Sequence, residues 1–117
     1  MVEHKRKIPV INISFTILIY KNPKEIQDRF PDSNFDVDLD SFNGGLFTID
    51  EKIYVCFLDD GSLTHGMIAH ECNHLLNEAY SIIGQRREMY NDELDCYFLQ
   101  WLIDCVNEVY LPTPPLK

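Results

Sequence analysis

Three residues of one short segment, His70, Glu71 and His74, have the types and spacing needed to activate water on a metal ion. On a helix, residues four positions apart lie one above the other, so both histidines can present an imidazole nitrogen to the same cation. Neutral imidazoles suit Zn²⁺ and leave room for a third protein ligand and for a water molecule whose pKa the metal lowers to about 7. Glu71, beside the metal but not bound to it, would take the proton from that water and give it to a leaving amine. The segment therefore predicts metal-assisted hydrolysis.

The third ligand is predicted at Glu93, in the first turn of the last predicted helix. A helical hairpin with a connection of this length can bring that turn back alongside the helix that carries the two histidines. Glu93 is also an ordinary acidic residue favoured at a helix N-terminus. Glu78, one turn beyond His74, is a second candidate, either as the ligand or as a residue that orients His74. Two histidines and one carboxylate also form the facial triad of non-haem iron oxygenases, although the spacing there differs, and the sequence does not distinguish zinc from other divalent ions.

The motif resembles the gluzincin arrangement of zinc metallopeptidases, in which H-E-x-x-H is followed by a distal glutamate on the next helix. A hairpin that leads directly into the motif helix is similar to the small zincins, which include ImmA/IrrE-like peptidases and compact zincin-like proteins encoded by phages and prophages. The segment from Asn91 to Tyr97 is similar to the one that carries the third ligand in the phage group. The resemblance covers about residues 44 to 106.

This resemblance implies an α+β fold of minimal zincin type, with a small mixed β-sheet packed on two long helices that carry the metal. It implies that His70, His74 and Glu93 bind Zn²⁺, that Glu71 is the general base, and that the edge strand holds a peptide or protein substrate by strand addition. No residue is assignable as the group that stabilises the oxyanion; Tyr90, Tyr97 and His65 are the candidates. The competing hypothesis is a zincin-derived binding or structural module in which the metal only holds the helix pair together.

Several short segments must position these residues. Alternation of apolar and polar residues over positions 8 to 20 predicts a half-buried strand, and Asn22 caps a predicted helix over 23 to 29. Residues 46 to 49 and 53 to 58 form a predicted hairpin whose second strand is apolar on both faces and should be central, leaving the first nearer the edge. The acidic stretch 34 to 42 lacks the glycine and glutamate of a calcium loop, so a solvated strand or extended loop is predicted there.

Two helices follow. The motif helix is predicted over about 63 to 83, capped by Ser62 or Thr64 and ended by Gly84, and the last helix runs from a cap at Asn91 or Asp92 to about residue 109. A proline-rich tail ends the chain. On the motif helix one stripe is predicted to be buried and a different one carries the candidate site. The buried stripe is Ile68, Cys72, Leu75, Leu76, Ala79 and Ile83, and the other is Met67, His70, Glu71, His74 and Glu78.

Length and charge limit the function. With 117 residues the chain is expected to form a single domain, and its formal charge is −9. Residues 1 to 30 carry a net charge of +3 and residues 31 to 117 a net charge of −12. A nucleic-acid partner is not expected, because phosphate contacts need clustered Lys and Arg. The run Lys5, Arg6 and Lys7 is interpreted as a solvated N-terminus.

The cysteines and the N-terminal segment indicate the compartment. Four cysteines without a C-x-x-C pair lie in apolar segments, which favours buried free thiols, and core packing is favoured for both Cys72 and Cys96. The apolar run after Lys7 is too short to span a membrane and lacks a cleavage site. A cytoplasmic protein without a membrane partner is therefore expected.

Overall fold

The computed structural model describes residues 1–32 and 44–110, so the predicted acidic segment 34–42 and the C-terminal tail lie outside the described residues. Seven elements follow one another along the described chain. They are β1 (Val2–Lys7), β2 (Ser14–Tyr20), α1 (Pro23–Arg29), β3 (Gly44–Ile49), β4 (Lys52–Leu58), α2 (His65–Ile83) and α3 (Glu93–Tyr110).

The four strands form one mixed sheet in the order β1-β2-β4-β3. The central pair, β2 and β4, is parallel, while β1 and β3 are antiparallel to their neighbours. Because Lys52–Leu58 is buried on both faces apart from its first residue, the prediction that this strand is central is confirmed. Among the residues that the structure describes, β3 lies at the edge of the sheet, as predicted. The α+β class with a small mixed sheet is likewise confirmed.

Helices cover both faces of the sheet. Phe15 and Val55 pack in one core with residues of α2 and α3, whereas Leu18 and Tyr20 pack in a second core with Ile26 of α1. The prediction that β2 is only half-buried is therefore wrong. Period-two alternation indicates one buried face, but the polar positions of this strand also include Thr16, which is buried together with its apolar neighbours.

The N-terminus differs from the prediction. Lys5, Arg6 and Lys7 belong to strand β1, and the predicted strand over 8 to 20 begins only at Ser14. Between the two strands the chain turns through residues with positive φ, Val10 and Asn12. A strand of charged residues is recognisable only by its pairing with a neighbour, and such residues are common on sheet edges because they discourage further pairing.

The helices agree more closely with the sequence. Asn22 caps α1 as predicted, Thr64 caps α2 by accepting a hydrogen bond from the Met67 backbone, and Gly84 ends α2 with a φ of 72°. The buried stripe of α2 is confirmed except at its end, where Ile83 is exposed and Tyr80 is buried instead. Across residues 1–32 and 44–110, the helices are all too short or too polar for a membrane span.

Candidate metal centre

His70 and His74 present two imidazole nitrogens to one point on the surface of α2. Their Nε2 atoms are 3.3 Å apart, and the rings meet edge to face with centroids 4.8 Å apart. Two nitrogens that bind one tetrahedral zinc at 2.0–2.1 Å are themselves separated by about 3.3 Å. The pair therefore has the spacing that two zinc ligands require; without a metal, the same distance accommodates an N–H to N hydrogen bond between neutral rings.

The residues around the two histidines determine that both imidazoles lie on the exposed face of α2. Thr64 sets the first turn of α2, and the core positions Ile68, Cys72 and Leu75 hold the helix against the sheet. The histidines then lie on the exposed face because a helix repeats every 3.6 residues. Their exposure leaves the remaining coordination positions open to a ligand from another element or to water.

Glu71 lies beside the histidines but turns toward the sheet. Its side chain is only 14 % exposed, and its Oε1 is 3.8 Å from His70 Nε2. Burial raises the pKa of Glu71 above its ordinary value of 4.5, although the two histidines act in the opposite direction. A largely buried carboxylate with a raised pKa, next to the histidine pair and not part of it, has the properties of a general base.

The edge strand β3 approaches α2 closely at a glycine. A Cβ atom built on Gly44 would lie 2.9 Å from the carbonyl oxygen of Cys56 and 3.9 Å from Glu71 Cγ. The absence of a side chain at this position therefore lets β3 pair with β4 while Glu71 lies against it.

Two cavities meet at Gly44 and Glu71. One, of about 450 Å³, is mainly apolar, and the other, of about 570 Å³, is more polar. We call them the apolar cavity and the polar cavity. The first is lined by Gly44, Phe57, Leu63, Thr64, Gly66, Met67, His70 and Glu71, and the second by Gly44, Gly45, Leu46, Glu71, His74, Asn77 and Glu78. Together they form a groove between the edge strand and the motif helix, with Glu71 at its middle.

The two candidate third ligands occupy different positions. Glu78 lines the polar cavity together with His74. Glu93 is exposed at the start of α3. The first turn of α3 is anchored to α2 by the contact of Asp95 with Tyr80. Tyr80 is six residues beyond His74, which is about 9 Å along the axis of α2. No third His, Cys, Asp or Glu among the described residues joins the histidine pair in a group that could hold a metal ion.

A buried polar cluster that the sequence analysis did not identify joins the start of α3 to α2. The Tyr80 hydroxyl donates to Asp95 Oδ1 at 2.5 Å, and the Glu88 backbone N–H donates to Asp95 Oδ2 at 3.0 Å. Burial and this contact with Asp95 raise the pKa of Tyr80 to about 12. The available signal was an aspartate on the apolar stripe of α3, at the same helical spacing as Phe98 and Leu102.

Arg87 extends this cluster toward the histidines. Its Nε is 3.9 Å from Asp95 Oδ2, and its Nη1 donates to Asn73 Oδ1 at 2.7 Å and to Asn77 Oδ1 at 3.1 Å. Both asparagines neighbour His74 on the surface of α2. The connection before α3 is thus held against the exposed face of α2 rather than standing free of it.

The tyrosine and cysteine predictions have mixed outcomes. Tyr90, Tyr97 and His65 are exposed, and none of them lines either cavity in the part of the chain that the structure describes. Cys72 is buried as predicted, as are Cys56 and Cys105. Cys96 is exposed, so its predicted core packing is wrong, because the buried stripe of α3 passes through its neighbour Asp95.

Tyr80→Phe is expected to lower the free energy of unfolding by about 1–3 kcal/mol, because Asp95, only 6 % exposed, would lose one of its hydrogen-bond donors. Urea denaturation monitored by circular dichroism measures the change. Tyr97→Phe, at an exposed tyrosine of α3, is the control and should change stability by less than about 0.5 kcal/mol. Equal stability of the two variants would contradict a structural role for the cluster.

Gly44→Ala is expected to destabilise the protein by about 1–3 kcal/mol, because the added methyl group would overlap the carbonyl oxygen of Cys56 and push β3 away from β4. Gly66→Ala is the control, since a Cβ there meets only Thr64 Oγ1, at 3.7 Å, within the first turn of a helix. That variant should be neutral or more stable in thermal unfolding. Unchanged stability of Gly44→Ala would disprove the close approach.

Comparison with known proteins identifies no relative. The chain matches no family model, no curated protein and no solved structure. The function is therefore argued from the residues and their geometry.

Proposed function

We propose that the protein is a zinc-dependent peptidase in which His70 and His74 hold the metal and Glu71 is the general base. The observation that carries the proposal is the 3.3 Å separation of the two Nε2 atoms, which equals the distance between two nitrogen ligands of tetrahedral zinc. A half-buried glutamate beside the pair supports the same assignment.

A zinc ion at this position supplies Lewis acidity, which lowers the pKa of bound water and polarises a substrate carbonyl. Glu71 accepts a proton at its carboxylate and passes it to the nitrogen of the leaving amine. Its raised pKa favours the first of these two transfers, since a more basic carboxylate accepts a proton more readily. His70 and His74 would hold the metal through their Nε2 atoms.

The groove between β3 and α2 supports a peptide substrate. β3 forms an edge of the sheet as the described residues define it, and an edge strand is the kind of element to which a peptide strand can be added. A chain bound there would pass Gly44 and Gly45, which have no side chains to obstruct it, and would run between the apolar and polar cavities past Glu71. The apolar cavity suits an aliphatic or aromatic substrate side chain.

A carboxylate completes the ligand set, and we propose Glu93, with Glu78 as the alternative. Glu93 follows from the gluzincin resemblance, whereas Glu78 has the support of sharing a cavity with His74. The two assignments predict opposite results for Glu93→Ala and Glu78→Ala: the variant that lacks the true ligand should bind zinc at least about tenfold more weakly, and the other should bind it normally.

The direct test is zinc content together with hydrolysis of a broad peptide library. Protein purified without added metal is expected to contain one zinc per chain, and it should cleave peptides in a reaction that a chelator stops and added zinc restores. Zinc binding without any cleavage under zinc saturation would favour the competing function, a binding module with a structural metal. A folded wild type that takes up no zinc would disprove both.

A further inference from the structure

A third cavity, of about 430 Å³, lies at the opposite end of the sheet from Glu71. It is bordered by the end of β1 and the beginnings of β2 and β4. Phe57 lines the apolar cavity, while Ile53 lines this one, so the two are separated by about 13 Å along β4. The third cavity therefore does not belong to the candidate metal centre.

Strand register places three lysines and two hydroxyl groups on one face of the sheet here. Lys7 is paired with Ser14 and Lys5 with Thr16. Phe15 of β2 is paired with Ile53 of β4 in parallel register, so the preceding residues of the two strands, Ser14 and Lys52, also lie beside each other. Paired residues of neighbouring strands share a face, and this is the face that carries α1, where Glu3 of β1 pairs with Arg29. We call the group of Lys5, Lys7, Lys52, Ser14 and Thr16 the basic cavity.

Basic side chains outnumber acidic ones among the described residues that line this cavity, where Glu51 is the acidic one. Arg6 also lines the cavity and lies 3.8 Å from Glu108 of α3, but Lys5, Lys7 and Lys52 make no ion pair within residues 1–32 and 44–110. The three lysines lie on alternate positions of β1 and at the start of β4, about 7–10 Å apart, so their charges repel one another. Their concentration in a chain with a formal charge of −9 indicates a site that an anion completes.

The dimensions suit a single small anion. Strand spacing puts the Cα atoms of Lys7 and Lys52 about 10 Å apart, and those of Lys5 and Lys7 about 7 Å apart. Three flexible lysine side chains can therefore converge on one group, with the Ser14 and Thr16 hydroxyls beneath it. A phosphate monoester carries a charge of about −1.5 to −2 and three acceptor oxygens, which matches this number of donors better than a single carboxylate does.

We propose that the basic cavity binds the phosphate group of a small molecule. A nucleic acid fits less well, because an extended polyanion would continue past the three lysines onto a chain whose residues 31 to 117 carry a net charge of −12. Glu51, which also lines the cavity, carries a negative charge that further disfavours an extended polyanion. The inference does not depend on the peptidase proposal, because it uses none of the same residues.

Isothermal titration with inorganic phosphate and with a small phosphate monoester, at fixed ionic strength, tests the inference. Wild type should show one site per chain with a Kd of about 1 mM or tighter. Lys7→Gln and Lys52→Gln should each weaken binding at least about tenfold, because each removes a charged hydrogen-bond donor. Ser14→Ala, at an exposed position, should weaken it by a smaller factor.

Lys24→Gln is the matched control, since it removes the same charge from an exposed lysine of α1 that does not line the cavity. It should bind phosphate as wild type does, with all variants checked for folding by circular dichroism. Tighter binding of the monoester would identify an organic phosphate as the ligand, and equal binding would identify the free ion. The inference is overturned by unsaturable binding, by an equal loss in Lys24→Gln, or by an oligonucleotide that binds more tightly and is lost in the same variants.

Discussion

Glu71→Gln is expected to lower kcat/KM for peptide hydrolysis by about 10³-fold while zinc content stays at one per chain. The amide has nearly the shape of the carboxylate but cannot accept and transfer the proton, and positioned general bases typically contribute 10²–10⁴ to rate. Zinc should remain because Glu71 is proposed as a base and not as a ligand. Steady-state kinetics and metal analysis on the same preparation measure both effects.

The same variant has an expected effect on stability that needs no substrate. Burial raises the pKa of Glu71 in the folded protein, so the folded chain binds this proton more tightly than the unfolded chain does. The contribution of Glu71 to the stability of the folded protein is therefore fully present below the pKa that Glu71 has in the unfolded chain. It is lost as pH rises through the pKa that Glu71 has in the folded protein. Metal-free Glu71→Gln should melt a few degrees above metal-free wild type at pH 7, and the difference should vanish near pH 4.

The matched control for this comparison is Glu88→Gln, at an exposed glutamate that lines neither cavity. If Glu88→Gln reduced catalysis as strongly as Glu71→Gln with zinc retained, the assignment of the base would be wrong. Retention of full activity by Glu71→Gln, with zinc bound, would remove Glu71 from the mechanism altogether.

His70→Ala is expected to abolish stoichiometric zinc binding and, with it, the stabilisation that zinc provides. A ligand present at 100 times its Kd stabilises the folded state by about 2.7 kcal/mol, which corresponds to a rise in Tm of about 10 °C for a chain of this size. Wild type should show this rise when zinc is added after chelation, and His70→Ala should not. Differential scanning calorimetry with metal analysis measures the effect.

His65→Ala is the control for that experiment, because His65 is an exposed histidine in the first turn of the same helix and lines neither cavity. It should keep both the zinc and the rise in Tm. An equal rise in His70→Ala and wild type would mean that zinc binds elsewhere, and the 3.3 Å contact between His70 and His74 would then be a hydrogen bond between two imidazoles.

The sequence by itself determined the features that depend only on residues close together in the chain. The helix period places His70 and His74 on one face with Glu71 beside them, and the structure has both Nε2 atoms at one point. Asn22, Thr64 and Gly84 act as capping residues in both descriptions, because a cap satisfies backbone groups only a few residues away. The continuous apolar run of β4 likewise indicated its central position.

Only the tertiary structure decided what depends on contacts between distant segments. The charged strand β1 exists through its pairing with β2, and the second buried face of β2 exists because α1 covers it. The burial of Asp95, and with it the position of Glu93, follows from contacts with Tyr80 and Arg87 that no local pattern encodes. A helix period fixes direction around one axis, whereas the approach of a second helix depends on side-chain packing and polar contacts across the interface. For this reason the close approach of His70 and His74 was predictable from spacing alone, and the position of Glu93 relative to them was not.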